Sequence, residues 1–272
     1  MQSKFTEQDT ERFYDEEDSV YRSFWDPEGS LHWGYFDETT GDDFLTASRH
    51  LNDVMLARSG IDASAAVLDL GCGNGNSTNW LAERTGAQVT GIDLSGVRVE
   101  NAIEAAKQLP PEVASRLTFK KASATDLPFE DGSFTHVWSQ ATIYHVHDKH
   151  TALAEAYRVL KPGGLLVLDD LTKPNPQISA ISQQHVYDRL LFDTPFSFEG
   201  YQEGLKSHGF TIEYAEDLAS HLGKSYTKLG EMAKAATDAG HGDFSNLVEA
   251  YRYMVAATET GDLGWGLYIC RK

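Results

Sequence analysis

Residues 67–77 read VLDLGCGNGNS, and no other stretch limits the chain's fold so strongly. The apolar run AAVLDL (65–70) is a short buried strand with one carboxylate near its end, followed by glycines at 71, 73 and 75. Glycines there permit positive φ and let a ligand approach bare backbone. A strand that opens through glycines into a helix starts a parallel sheet, and in such sheets ligands settle at the carboxyl ends of the strands. Packing alone asks for neither the backbone freedom nor the carboxylate of Asp69.

The residues that follow keep this rhythm. A helix near 76–85 leads to strand 87–93 (AQVTGID), amphipathic helix 95–109, strand 117–123, the turn FEDGSF (129–134) and strand 135–140. Helix 150–160 sets Leu153, Ala156, Tyr157 and Leu160 on one face; KPGG (161–164) stops it ahead of strand 165–170. Alternating strands and helices predict parallel pairing in a doubly wound α/β layer structure. After 171 the pattern gives helices over 177–193 and 198–210 and strands over 211–218 and 263–272. The helical pattern at 224–260 is far longer than a connection between those two strands needs, and it reads as a lid over the open edge of the sheet. Ahead of the sheet lie a helix over 5–26, the aromatic piece LHWGYF (31–36) and a helix near 42–59.

Composition narrows the function. Lys and Arg number 23 against 41 Asp and Glu, a formal charge of −18 that repels phosphate backbones and argues against nucleic acid. The same acidity fits either a solvated acidic surface or adaptation to a salty cytoplasm. No window approaches the roughly 18–20 apolar residues of a membrane helix. The polar, acidic start MQSKFTEQDTERFYDEEDS reads as neither a secretory nor a mitochondrial segment, so a cytoplasmic location is expected. Cys72 and Cys270 are far apart and form neither a disulfide framework nor a zinc spacing. Cys72 reads as a small packing residue within the glycine run.

Whether the glycine run holds a phosphate decides its ligand. Asp93 closes the second strand in VTGIDLS, where a carboxylate accepts ribose hydroxyls. Its competing role is to cap the helix that follows, which Ser95 serves better. A dinucleotide site would place a third glycine where Asn76 or Thr78 stands, and no GxxxxGK[ST] occurs. Asp69 would repel a pyrophosphate and would suit a cationic amine. A ribose joined to a cation, without phosphate, describes S-adenosylmethionine.

These residues, with LPFEDGSF (127–134), WSQATIYHV (138–146) and RVLKPGGLLVLDD (158–170), resemble the successive motifs of class I S-adenosylmethionine-dependent methyltransferases over roughly 64–272. The resemblance implies Asp69, Gly71 and Gly73 under the methionine portion, Asp93 on the ribose, Ser123 and Ala124 against the adenine, and Ser139 beside the methionine, with Leu94 also among the cofactor-binding residues. The family often carries Asp where this chain has Ser123, which leaves Thr125, Asp126 or backbone alone to meet the adenine amine. Within the class, FYDEEDS, LHWGYF, the WSQ–His segment, 177–193 and GWGLYICRK are similar to sarcosine/dimethylglycine N-methyltransferases. LHWGYF, with a His and an Asp after strands four and five, is also similar to natural-product sugar O-methyltransferases.

Methyl transfer is an in-line displacement in which positioning does most of the work. A hydroxyl acceptor needs a base, and His145, in the loop after the fourth strand, is the first candidate. Asp170 is read as its partner or as a substrate-cation anchor, whereas Asp169 is expected to turn back into the sheet region. Tyr14, Tyr21, Trp33, Tyr35 and Tyr144 read as a hydrophobic cap or as a partial aromatic cage for a methylated ammonium. Tyr14, Tyr21, Trp33, Gln140 and Tyr144 are the substrate-side candidates. His145, His147 and His150 share one loop and read as no metal site.

The expectation is therefore one α/β, Rossmann-like domain with a seven-stranded sheet, mostly parallel, whose last strand is antiparallel. Residues 1–63 form a helical cap, 64–170 the cofactor-binding core, and 171–272 the remaining strands with the lid. The expected activity is methyl transfer from S-adenosylmethionine to a small soluble acceptor, sarcosine or dimethylglycine first, a sugar-like or phenolic hydroxyl second. A non-catalytic S-adenosylmethionine-binding module is the rival of another class, and a homodimer is left open as the assembly.

Overall fold

A computed structural model describes residues 4–24 and 32–272; for 16–24 it describes the backbone and not the side chains. The side chain of Tyr21, a substrate-side candidate, therefore lies outside the described residues. Helix α1 (Glu7–Phe24) and helix α2 (Phe44–Ser59) precede the sheet. Asp43 caps α2 by accepting from Thr46 N at 2.7 Å, and Gly60 ends it at φ +68°. The core alternates as expected: β1 (Ala66–Leu70), α3 (Asn76–Thr85), β2 (Gln88–Asp93), α4 (Gly96–Ala106), α5 (Pro111–Ala114), β3 (Leu117–Lys121), β4 (Phe134–Gln140), α6 (Lys149–Val159) and β5 (Leu160–Thr172). The remainder is α7 (Ala180–Ser182), α8 (Phe198–Ser207), β6 (Thr211–Asp217), α9 (Ala219–Asp238), α10 (Ser245–Glu259) and β7 (Gly264–Arg271).

The seven strands lie in the order β3-β2-β1-β4-β5-β7-β6. All pairings are parallel except those of β7, which runs antiparallel to both β5 and β6. The strand order reverses between β1 and β4, which opens a crevice at their carboxyl ends.

Two expectations need correction. KPGG does end a helix, at Val159, yet these residues already belong to β5, whose pairing with β4 shifts register between Phe134 and His136. Residues 177–193 do not form one helix; α7 is followed by a single π turn over Gln183–Tyr187. The Tyr187 hydroxyl donates to the Asp262 carbonyl at 2.6 Å, and Leu191 stands at φ +49°, a conformation no helix continues.

Side chains of a strand alternate between its two faces, and this parity sorts the polar residues at the strand ends. On one face Val67, Trp138, Val167 and Leu267 pack with Leu51, Met55 and Leu81 and with Leu222, Leu229 and Met254 of α9 and α10. On the other, Leu68, Leu70, Val137, Leu166 and Leu168 meet Leu153 and Ala156 of α6 and Tyr201 and Leu205 of α8. Asp69, Gln140 and Asp169 share the parity of the first face; Ser139 and Asp170 share that of the second.

The 224–260 insertion forms α9 and α10, packed on each other and on the first face. Leu222, Leu229 and Met254 are fully buried, each worth about 1.5–3 kcal/mol. Ser225 Oγ and His221 Nδ1 accept from the backbone of Gly34 and Phe36, both at 3.0 Å. The pair is core scaffolding for the first face.

Candidate active site

A cavity opens at the carboxyl ends of β1, β2 and β4, and α1 lies across it. Its floor is the glycine run. Gly71 and Cys72 both donate to the Ile92 carbonyl at 2.8 Å, which ties the turn to the next strand. Gly71 stands at φ +80°, and a Cβ there would come within 2.3 Å of the Thr142 side chain. Gly73, at φ +53°, is different: its nearest neighbour to an added Cβ is Arg98 Nη1 at 3.7 Å, so its bare backbone faces the cavity. Cys72 is buried against Gly91, and burial drives its thiol well above the usual range, so it is a packing residue.

Asp93 and Ser95 divide their duties as the sequence suggests. Ser95 Oγ caps α4, accepting from Arg98 N at 3.1 Å, which leaves Asp93 at the cavity wall. Asp93 accepts from Gly73 N at 2.9 Å and Ser95 N at 2.8 Å. Burial raises its pKa, and the Arg98 guanidinium opposes that rise. Asp69 is buried, accepts from the Thr78 hydroxyl at 2.5 Å, and is lifted by burial to about 7. A neighbouring cation would hold it ionised.

The opposite wall follows β4. Gln140 lines the cavity within a network: its Oε1 accepts from Ser77 Oγ at 2.7 Å and Trp138 Nε1 at 2.9 Å, and its Nε2 donates to Asn52 at 2.9 Å. Ala141 then turns at φ +49°, a strained conformation for a residue with a Cβ, before a 3₁₀ turn over Ile143–His145. His145 is buried at the cavity wall, edge-on to Tyr14 at 5.1 Å. Neither ring nitrogen makes a well-aligned hydrogen bond among the described residues, although the backbone at Leu191 comes near. Burial, with the charges of Lys149 and Arg98, depresses its pKa to about 3, so the imidazole is neutral at working pH.

Asp170 is corrected by parity. It lies outside the cavity lining, on the second face, with Oδ1 accepting from Tyr144 N at 3.1 Å and Oδ2 from the Tyr201 hydroxyl at 2.9 Å. Lys149 Nζ donates to Val146 O at 2.8 Å, so the two buried charges brace the His145 turn from behind. Burial raises Asp170 and lowers Lys149, and each offsets the other. Asp169 faces the first side, accepting from Trp265 Nε1 at 2.8 Å.

Of the other sequence candidates, Tyr14, Leu94, Ser123 and Ala124 line the cavity. Ser139 does not; it is buried on the second face. Trp33 and Tyr144 do not line it either. Trp33 is 2% exposed and packs on Trp265 at 5.5 Å, Tyr226 at 6.1 Å and Tyr144 at 6.3 Å, so it is a core residue. Tyr14 carries the Arg98 guanidinium 4.1 Å above its ring. Among the described residues Tyr14 alone of the expected aromatic set lines the cavity.

Nor does the expected lid close it, since no residue of α9 or α10 reaches the lining. The roof is α1, which contributes Glu7, Thr10 and Tyr14. Glu7, Glu11 and Asp15, four apart on one helix face, bond to Ser123, Lys121 and Ser95 on the core. Sequence reasoning missed Glu7, Arg98 and Thr142. The spacing of the acids was a usable signal, and so was an arginine on the buried stripe Arg98, Ala102, Ala106 of α4.

Residues 68–168 match the family model described as "Methyltransferase domain". Over 253 residues the chain is 31% identical to 27-O-demethylrifamycin SV methyltransferase of Amycolatopsis mediterranei (strain S699), covering 89% of this chain and 90% of that one. The chain is an S-adenosylmethionine-dependent methyltransferase. The methyltransferase is also 28% identical to glycine/sarcosine/dimethylglycine N-methyltransferase of Actinopolyspora halophila, over 95% of this chain and 46% of that protein. A crystal structure from Galdieria sulphuraria, assigned as a sarcosine dimethylglycine methyltransferase, superposes with a TM-score of 0.84 at 26% identity, covering 95% of this chain and 98% of that one. The chemistry of the lining is compatible with this cofactor: Gly73 leaves open space that a side chain would fill, and Asp69 and Asp93 place two carboxylates at the cavity wall. Among the described residues no group of three or more His, Cys, Asp or Glu could hold a metal, and no helix is long and apolar enough to cross a membrane.

Proposed function

We propose that the methyltransferase acts on a hydroxyl of a small acceptor, with His145 receiving the proton. The observation that carries this reading is a neutral imidazole at the cavity wall whose ring nitrogens make no well-aligned hydrogen bond among the described residues. The cofactor supplies an electrophilic methyl group on a sulfonium. The acceptor oxygen would bond to that methyl carbon as the carbon–sulfur bond breaks and the neutral thioether leaves; the acceptor's proton, then far more acidic than an alcohol's, would pass to His145, for which a base of depressed pKa suffices. Asp170 and Lys149 keep the His145 turn in place from behind. Asp69, Gly71, Gly73, Asp93, Leu94, Ser123 and Ala124 hold the cofactor on this reading.

A second reading, N-methylation of sarcosine or dimethylglycine, is supported by the near full-length superposition on the Galdieria sulphuraria structure. It is weakened by Trp33 and Tyr144 lying outside the cavity and by a guanidinium already on the Tyr14 ring. S-adenosylhomocysteine release across hydroxyl and amine panels, for wild type and His145→Ala, separates the two. The hydroxyl reading expects turnover on hydroxyls and a fall in kcat of about 10²–10⁴ in the variant. Turnover on amines with only a small loss would replace it with the second reading, and cofactor binding without turnover on either panel would favour a non-catalytic module.

A further inference from the structure

Ser123 leaves the adenine end of the cavity without a carboxylate on the β3 side, yet a carboxylate is there. Glu7, on the first turn of α1, lines the cavity beside Ser123 and Ala124. Its Oε1 accepts from the hydroxyls of Ser123, at 2.5 Å, and Thr125, at 3.2 Å. His147 Nδ1 stands 3.7 Å from the same oxygen, too far for a hydrogen bond. Among the described residues Oε2 makes no hydrogen bond. A carboxylate oxygen accepts and never donates, so the group that completes this corner must carry N–H or O–H. Leu94, Ala122 and Ala124 form an apolar wall nearby, suited to the face of an aromatic base.

We propose that Glu7 accepts the exocyclic amine of the cofactor's adenine, so that α1 reads the base and roofs the cavity in one step. The two serine and threonine hydroxyls orient the carboxylate, and the Glu11–Lys121 and Asp15–Ser95 contacts fix the helix that carries it. A 6-oxo purine presents an acceptor at the same place and would face Glu7 oxygen to oxygen. Recognition of the amine is thus a property of a residue more than a hundred positions away from the strand that would ordinarily supply it.

The inference rests on the cofactor's seat in this cavity and not on which acceptor is methylated, so it is tested by calorimetry without any acceptor. S-adenosylhomocysteine and its 6-oxo (inosine) analogue are titrated into wild type, Glu7→Gln, and Glu7→Gln combined with Ser123→Asp. Wild type is expected to prefer the amino form by about 10–100-fold, the range of a hydrogen bond to a charged group. Glu7→Gln keeps an acceptor oxygen for Ser123 and Thr125 but offers an amide, which serves either base, and should shrink the preference to about 5-fold or less. Ser123→Asp should restore it. An unchanged preference in Glu7→Gln, or equal loss of affinity for both ligands, would overturn the assignment, the second by making Glu7 only a tether for α1. Failure to turn over hydroxyls would overturn the acceptor reading alone and leave the preference measurable.

Discussion

Alanine at position 73 tests whether the glycine run is a ligand cradle or merely a turn. Gly73 stands at φ +53°, where a residue with a Cβ costs about 1–2 kcal/mol. Among the described residues the added carbon would meet only Arg98 Nη1, at 3.7 Å, an ordinary contact that adds no clash. The cofactor-free protein should therefore lose about 1–2 kcal/mol, a fall in Tm of roughly 2–8 °C for a chain of this size. The same carbon projects into the cavity, where the proposed cofactor placement puts the methionine portion. An overpacked contact costs about 1–3 kcal/mol, or roughly 5–150-fold in affinity. Gly71→Ala is the control: at φ +80° its Cβ would lie 2.3 Å from Thr142, so it should lose more stability than Gly73→Ala. Differential scanning fluorimetry gives the first quantity and titration with S-adenosylhomocysteine the second. Gly73→Ala binding within twofold of wild type, with the expected loss of Tm, would refute the cradle and leave only the turn.

Two further outcomes follow from the burial of particular side chains. Asp69 titrates near 7 when the cavity holds no cation, and pairing with an amine favours its ionised form; binding then releases a proton, so affinity for S-adenosylhomocysteine should weaken as pH falls below about 7 and level off above it. Asp69→Asn should flatten that dependence, and a wild-type profile already flat from pH 5.5 to 8.5 would remove Asp69 from the cofactor's amine. Trp33→Ala should cost about 3–5 kcal/mol in denaturant unfolding with cofactor affinity little changed, because Trp33 is core; a raised acceptor KM in a protein of undiminished stability would reinstate the cage.

The core of the fold was legible because its signals are local. Alternation of β1 through β5 with helices, the Ser95 cap and the stop before KPGG each depend on a few neighbouring residues. The sequence could not tell that KPGG enters the strand, because the register shift against β4 belongs to the partner strand. Nor could it tell that Asp262 and Leu191 break up 177–193, since one lies some seventy residues away. That Asp69, the glycines and Asp93 meet at one cavity was similarly readable. The acceptor side was not, because parity at a strand end decides it: one residue's difference sends Asp170 behind the sheet and Asp169 to the opposite face. Trp33 looked like a ligand-facing aromatic until three distant rings, Tyr144, Tyr226 and Trp265, closed around it. The roof was misplaced onto α9 and α10 because helical periodicity reports that a face is buried and not what it is buried against.

The place of β7 between β5 and β6 has a bearing on how the chain assembles. As the polypeptide leaves the ribosome, β6 emerges well before β7, yet within the sheet β7 is its sole neighbour. Until residues 264–271 appear, β6 has no ladder to join and β5 presents an unpaired edge rich in Leu and Val. The α9–α10 pair is made during that interval, and its hydrogen bonds are local, so its helices can start before the last strand arrives. In the finished fold the pair packs on the first face, α9 against β7 itself, so the insertion that does not gate the cavity gives the late strand a surface to dock on.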